Sequence, residues 1–208
     1  MARIWHGAIG LIAAFALVAQ TVVVLDNDRS FVNFVSYFTV QSNILVLIAC
    51  VMIVASPDRQ DALFGFMYLA ALAGITVTGI VYATVLAGAL DLDGLDLVLD
   101  ILFHYVVPWA TVLGFLVFRP GIVMSWRYLW FAIWPVVWLV YTLVRGASVH
   151  AAFPAADGAV SNYPYDFLDV DLHSGVEVTI ACVVVTVLML GLASAYVALT
   201  RTRQRSAV

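Results

Sequence analysis

Residues 36–43 read Ser36-Tyr37-Phe38-Thr39-Val40-Gln41-Ser42-Asn43, and an unbroken apolar run follows from Ile44 to Ala55. A stretch of ~20 apolar residues is what a helix needs to cross the hydrocarbon core of a bilayer. The segment over 33–55 therefore reads as a transmembrane helix with a polar knot where it enters the membrane. Thr39 and Asn43 are four residues apart and share one helix face, with Ser36 and Ser42 flanking it. Hydroxyls and amides need partners in hydrocarbon, so the knot is expected to face the interior of a bundle. There it either ties helices together or takes part in chemistry.

The rest of the chain has the same character. It has 208 residues, 64% of them hydrophobic and 11% charged, with a mean hydropathy of +1.06. That balance excludes an ordinary soluble domain. Six spans account for nearly all of it, at about 5–25, 33–55, 62–89, 98–118, 127–146 and 173–200. The expected fold class is all-α: a polytopic integral membrane protein forming one six-transmembrane-helix bundle over 1–208. The net charge of −4 gives no pointer to nucleic acid. No nucleic-acid partner is expected, and the expected partners are membrane lipids. Whether the bundle dimerises does not follow from the sequence.

Orientation follows from arginine, because the chain contains no lysine. With a cytoplasmic N-terminus, Arg3, Arg59, Arg119, Arg127, Arg201, Arg203 and Arg205 lie inside, and only Arg29 and Arg145 lie outside. The positive-inside rule then places both termini in the cytoplasm. Span 1 is too long for a signal-peptide core and is expected to stay uncleaved. Cys50 and Cys182 each fall within a span, with no spacing that implies a disulfide or a metal site. His6 is expected to be a solvated residue at the inner interface.

Span 4 carries the second informative stretch, Asp100-Ile101-Leu102-Phe103-His104-Tyr105-Val106-Val107-Pro108-Trp109. Asp100 and His104 form an i, i+4 pair on one face. Counted from the outer entry points, Thr39 and His104 each lie ~9 Å deep at the helical rise. Pro108 removes a backbone donor near His104 and is expected to open a kink or small cavity there. An ionisable side chain inside a span is a functional hypothesis by default, against a histidine merely bonded to backbone.

Span 5 carries Trp126, Trp130, Trp134, Trp138 and Tyr141, a stripe with Pro135 in its middle. It reads most simply as a packing ridge; Trp134 and Trp138 would alternatively wall a tunnel for an acyl chain. Residues 147–172 form one long connection containing Tyr163-Pro164-Tyr165-Asp166-Phe167. Loops of this length are often lids or binding loops. Tyr163 and Tyr165 are therefore candidate substrate contacts, as is Ser42. The acidic turn Asp91–Asp96 lacks the ligand spacing of a calcium loop. Spans 1–3 and 4–6 share no motif, so an inverted-repeat transporter gains no support.

A threonine hydroxyl becomes a useful nucleophile only beside a base, and histidine suits that role near neutral pH. Thr39 as nucleophile, His104 as base and Asp100 holding the imidazole would make a triad-like set. Asn43, one turn below Thr39, would offer its amide to the oxyanion. Such a site needs no cofactor and no metal.

The motif Phe38-Thr39-Val40-Gln41-Ser42-Asn43, followed by His104 in a later span, resembles the androgen-induced and androgen-dependent multipass membrane protein family. The resemblance implies a threonine hydrolase acting on fatty acid esters of hydroxy fatty acids, with Thr39 as nucleophile and His104 as the essential histidine. The loop Tyr163-Pro164-Tyr165-Asp166-Phe167 looks like that of prokaryotic relatives, which implies a bacterial plasma membrane. Two other readings stand beside it. One is a zinc-dependent hydrolase built from Asp100, His104, His173 and Glu177. The other is a lipid or small-molecule carrier that binds at the knot without reacting.

Overall fold

The structure is a computed structural model that describes residues 1–88, 91–118, 122–154 and 160–205. The turn Arg119-Pro120-Gly121 and the last residue of the expected 62–89 span lie outside the described residues, as do the side chains of Arg203 and Arg205.

Among the described residues there are eight α-helices: α1 (Ala2–Asp26), α2 (Phe31–Ser36), α3 (Phe38–Ala55), α4 (Ala62–Val81), α5 (Gly94–Ile101), α6 (Val107–Phe118), α7 (Ile133–Ser148) and α8 (Gly175–Arg205). A π-helical turn over Tyr82–Leu86 extends α4, another over Leu102–Val106 joins α5 to α6, and a 3-10 segment over Trp126–Ala132 leads into α7. A two-residue ladder, β1 (Phe153–Pro154) against β2 (Val160–Ser161), ties the long loop to itself. Six of the resulting rods are long and apolar enough to cross a membrane: Ala2–Asp26, Phe38–Ala55, Ala62–Leu86, Gly94–Phe118, Trp126–Ser148 and Gly175–Thr202. The expected all-α architecture and its six apolar segments are present.

Helix α4 runs through the middle of the bundle, and all its residues from Leu69 to Gly79 are buried. It packs against α3, α6 and α8, while α1 covers α3 and α6. Small residues set these approaches. A Cβ on Gly114 of α6 would sit 2.8 Å from the indole nitrogen of Trp5, so α1 and α6 cross closely only because that position is glycine. Trp5 donates its indole N–H to the carbonyl of Ala110 at the same crossing. His6 is 1% exposed and packs edge-on against Phe118. It is a core residue of the α1–α6 contact, not the solvated interfacial residue the sequence suggests.

The outward faces are largely apolar, and exposed Thr179 and Thr186 of α8 turn their hydroxyls onto their own helix backbone. On α8 alone Val176, Ile180, Val183, Val184, Val187 and Leu190 are exposed. The polar side chains have withdrawn inward, the reverse of a water-soluble helix.

Two expectations of helix continuity change. The span over 33–55 is broken at Tyr37, whose extended backbone (φ −65°, ψ 131°) separates α2 from α3. The span over 127–146 begins as a 3-10 segment, so Pro135 falls in the first turn of α7, where a missing N–H costs nothing. This also splits the tryptophan stripe: Trp126 and Trp130 are exposed, whereas Trp134 and Trp138 turn inward.

Candidate active site

The break at Tyr37 is held open by the polar knot itself. Ending α2 leaves its last carbonyls short of helical donors: Phe34 O takes the Tyr37 N–H at 3.3 Å, while Val35 O and Ser36 O find side chains. Ser36 Oγ donates to Val32 O at 2.6 Å, Gln41 Nε2 to Val35 O at 3.1 Å, and Trp138 Nε1 to Ser36 O at 2.8 Å. Trp134 Nε1 in turn donates to Gln41 Oε1 at 2.8 Å, and its ring stacks on Phe38. Both tryptophans act first as struts for the break. Trp138 also borders the cavity described below, whereas Trp134 does not.

Because α3 starts at Phe38, Thr39 sits in its first turn, where backbone N–H groups have no intrahelical acceptor. The hydroxyl of Thr39 donates to His104 Nε2 at 3.3 Å. The Nδ1 of His104 faces two acceptors, Asp100 Oδ1 at 2.9 Å and the Asp100 carbonyl at 3.0 Å. A proton on Nδ1 satisfies both, which leaves Nε2 as the acceptor aimed at Thr39. The second carboxylate oxygen of Asp100 accepts from the hydroxyl of Tyr82. The Tyr82 ring lies flat on the imidazole, with centroids 3.9 Å apart and planes 12° from parallel. His104 and Asp100 are about 15% and 16% exposed, so their hydrogen bond is shielded but not dry.

The π turn places His104. It shifts the hydrogen bond of Val107 N–H from Phe103 O to Leu102 O, so Phe103 O loses its helical donor. Asn43 Nδ2 donates to that carbonyl at 3.3 Å and to Thr39 O at 2.8 Å. Both amide hydrogens of Asn43 are thus committed. Asn43 cannot serve as the expected oxyanion donor; it pins the His104 turn to the Thr39 helix.

Tyr165 completes the cluster from the long loop. Its hydroxyl accepts from Thr39 N–H at 3.3 Å and lies 3.3 Å from Thr39 Oγ1. Burial pushes its pKa above the ordinary phenol value, partly offset by the hydrogen bonds from Thr39, so it stays a neutral O–H donor. Tyr163, by contrast, is a pillar. It is 2% exposed, packs with Leu168 and Val178, and abuts Gly146 of α7. Neither Tyr163 nor Ser42 reaches the cavity as expected. Ser42 Oγ donates to Thr39 O at 2.9 Å and shares a 2.9 Å hydrogen bond with the Thr78 hydroxyl.

The loop is latched over this end. Asn33 accepts from Arg145 at 2.6 Å and donates to the carbonyls of Ala151 and Ala152. Buried Asp169 accepts from Ser161 Oγ at 2.6 Å and from Asp171 N–H at 2.8 Å. These bonds give Tyr165 its fixed approach to Thr39.

Among the described residues, no group of three His, Cys, Asp or Glu side chains gathers as a metal site. Glu177 is occupied elsewhere, in a reciprocal cap with Ser174 at the start of α8. The four-residue zinc set suggested by the sequence therefore has no common centre.

A cavity of about 110 Å³ opens beside the cluster, bounded by Phe38 and Thr39, by α4, by Pro135, Val136 and Trp138 of the α7 side, and by α8. Fold and site together define an apolar six-rod helical bundle with a Thr-His-Asp hydrogen-bonded chain, capped by a tyrosine-bearing loop. No family model, no curated protein and no solved structure matches this chain.

Proposed function

We propose that this chain is an integral membrane hydrolase of lipid or fatty acyl esters, with both termini in the cytoplasm. The observation that carries this reading is the run Thr39 Oγ1–His104 Nε2–Asp100, in which the histidine tautomer is fixed by the carboxylate. The six apolar rods and the seven-to-two arginine asymmetry support the membrane setting. The resemblance of Phe38–Asn43 and His104 to the androgen-induced threonine hydrolases supports the same assignment. It suggests fatty acid esters of hydroxy fatty acids as the substrate type and a bacterial plasma membrane as the setting.

In the proposed reaction, Thr39 Oγ1 forms a bond to the ester carbonyl carbon as its proton passes to His104 Nε2. Asp100 steadies the imidazolium through Nδ1–H. Negative charge develops on the carbonyl oxygen next to the N-terminus of α3, where the helix dipole favours it. The Tyr165 hydroxyl, which in the resting site takes up the Thr39 N–H, is the neutral donor at hand for the same charge. The carbon–alkoxy bond then breaks, and His104 returns the proton to the departing alcohol. Water, activated by His104 in turn, cleaves the acyl-threonine to the free acid. The weakly exposed site limits screening of these charges.

Incubation of the purified protein with an acyl or serine-hydrolase-type probe, followed by peptide mass spectrometry, tests the reading. An adduct on Thr39 that is absent from His104→Ala supports it. Full ester turnover by Thr39→Ala overturns the covalent mechanism.

A further inference from the structure

We infer that the acyl chain of the substrate enters sideways, between α7 and α8, and lies in the cavity that ends at Thr39. The inference rests on the hydrolase reading and adds which half of the ester occupies which side of the site. The cavity has a buried end and an open one. Phe38, Thr39, Val77 and Met189 at the inner end are each 7% exposed or less, whereas Val136 and Leu190 at the rim are 55% and 38% exposed. The rim therefore opens on the apolar outer face of the bundle, where acyl chains would lie.

The lining offers little to a polar ligand. Thr186 donates its hydroxyl to Cys182 O at 2.7 Å, and the Thr78 hydroxyl is held by Ser42. Both hydroxyls are thus already engaged. The hydroxyls of Thr39 and Tyr165 remain as the polar end of an otherwise hydrocarbon slot, which is the polarity of an acyl chain ending in a carbonyl.

His104 decides the direction of the ester. It must protonate the departing alcohol, and it does not border the cavity. The alkoxy side therefore faces His104, and the carbonyl's own chain occupies the slot. The occupant is the acyl chain of the ester, delivered laterally from the bilayer.

The test uses the full-length protein in proteoliposomes with p-nitrophenyl esters from acetate to palmitate. Val136→Trp and Leu190→Trp fill the rim at positions exposed enough to accept the ring. The expected result is a fall of tenfold or more in the ratio of palmitate to acetate turnover. Equal losses at every chain length, or no loss, overturn the slot. A second arm does not depend on turnover: a diazirine-bearing palmitic acid is photolysed with the Thr39→Ala protein. Cross-links on Phe38, Val77 or Met189, which bulk lipid cannot reach, support the slot. Cross-links confined to the outer faces overturn it. Inner cross-links from a wild-type protein that cleaves no ester would retain the slot and sink the hydrolase reading alone.

Discussion

Asn43 donates an amide hydrogen to the carbonyl oxygen of Phe103, the carbonyl that the π turn around His104 deprives of its helical donor. One side chain thereby registers the helix of Thr39 against the turn of His104. Substituting Asn43 with Ala strips Phe103 O of this donor in a fully buried setting, while Thr39 O keeps the Ser42 hydroxyl. Leaving a buried acceptor unmet costs about 1–3 kcal/mol. The expected outcome is a lower melting temperature in detergent, together with a drop in turnover from misplaced His104. A variant as stable as wild type would show that the contact carries no weight.

Asp100 and Tyr82 act on the imidazole from two directions, one through Nδ1–H and the other through its ring face. Asp100→Asn should still let Thr39 be labelled, but slowly, with kcat down by as much as about 10⁴, as in other triads that lose the tautomer-fixing carboxylate. Tyr82→Phe keeps the stack and removes the hydroxyl donated to Asp100, so its effect should be smaller, about tenfold. Initial rates on a soluble ester, with labelling kinetics in parallel, measure both. Equal rates for wild type and Asp100→Asn would remove the carboxylate from the mechanism.

Tyr165→Phe keeps the ring that packs on Phe167 and removes the hydroxyl beside Thr39. A single donor to a developing oxyanion is worth roughly 10²–10³ in kcat. We expect a loss toward the lower end of that range, with KM nearly unchanged. Because burial raises the Tyr165 pKa above the ordinary value of about 10, the docked loop favours the neutral phenol. Docking is therefore at full strength below pH 10 and weakens as pH rises beyond it, where a released tyrosine ionises. Tyrosinate absorbance against pH, compared between wild type and Tyr165→Phe, reads this directly.

Gly146 lies under the ring of Tyr163, and a Cβ there would overlap that ring. Glycine to alanine inside a helix ordinarily stabilises by about 1 kcal/mol. At Gly146 the sign should reverse, because overpacking typically costs about 1–3 kcal/mol. Gly146→Ala should raise protease cutting within residues 149–174 and lower the turnover of the proposed reaction by displacing Tyr165. Unchanged proteolysis would mean that the pillar is softer than its burial implies.

Asn33→Ala tests the latch from the other side. It removes the acceptor of Arg145 and the donor to Ala151 and Ala152, and should free the loop while leaving the bundle's melting transition nearly intact. Hydrogen exchange over residues 149–174 is the measurement. Protection equal to wild type would relocate the latch to Asp169 and Ser161.

Hydropathy alone was enough to find all six apolar rods, and helical rise alone put Thr39 and His104 at one level. Both are properties of short stretches of chain and do not depend on which helix neighbours which. The i, i+4 spacing likewise made Asp100 the partner of His104. What no local pattern contained was the break at Tyr37, which has neither proline nor glycine to mark it. It exists because Trp138 and Gln41 satisfy carbonyls it exposes, and the tryptophan comes from α7. For the same reason local spacing points Asn43 toward catalysis and Tyr163 toward substrate, whereas the fold gives them positioning and packing roles. A polar group's role inside an apolar bundle is set by whichever partner meets its hydrogen-bonding need, and only the tertiary arrangement of the helices and the folded-in loop chooses that partner.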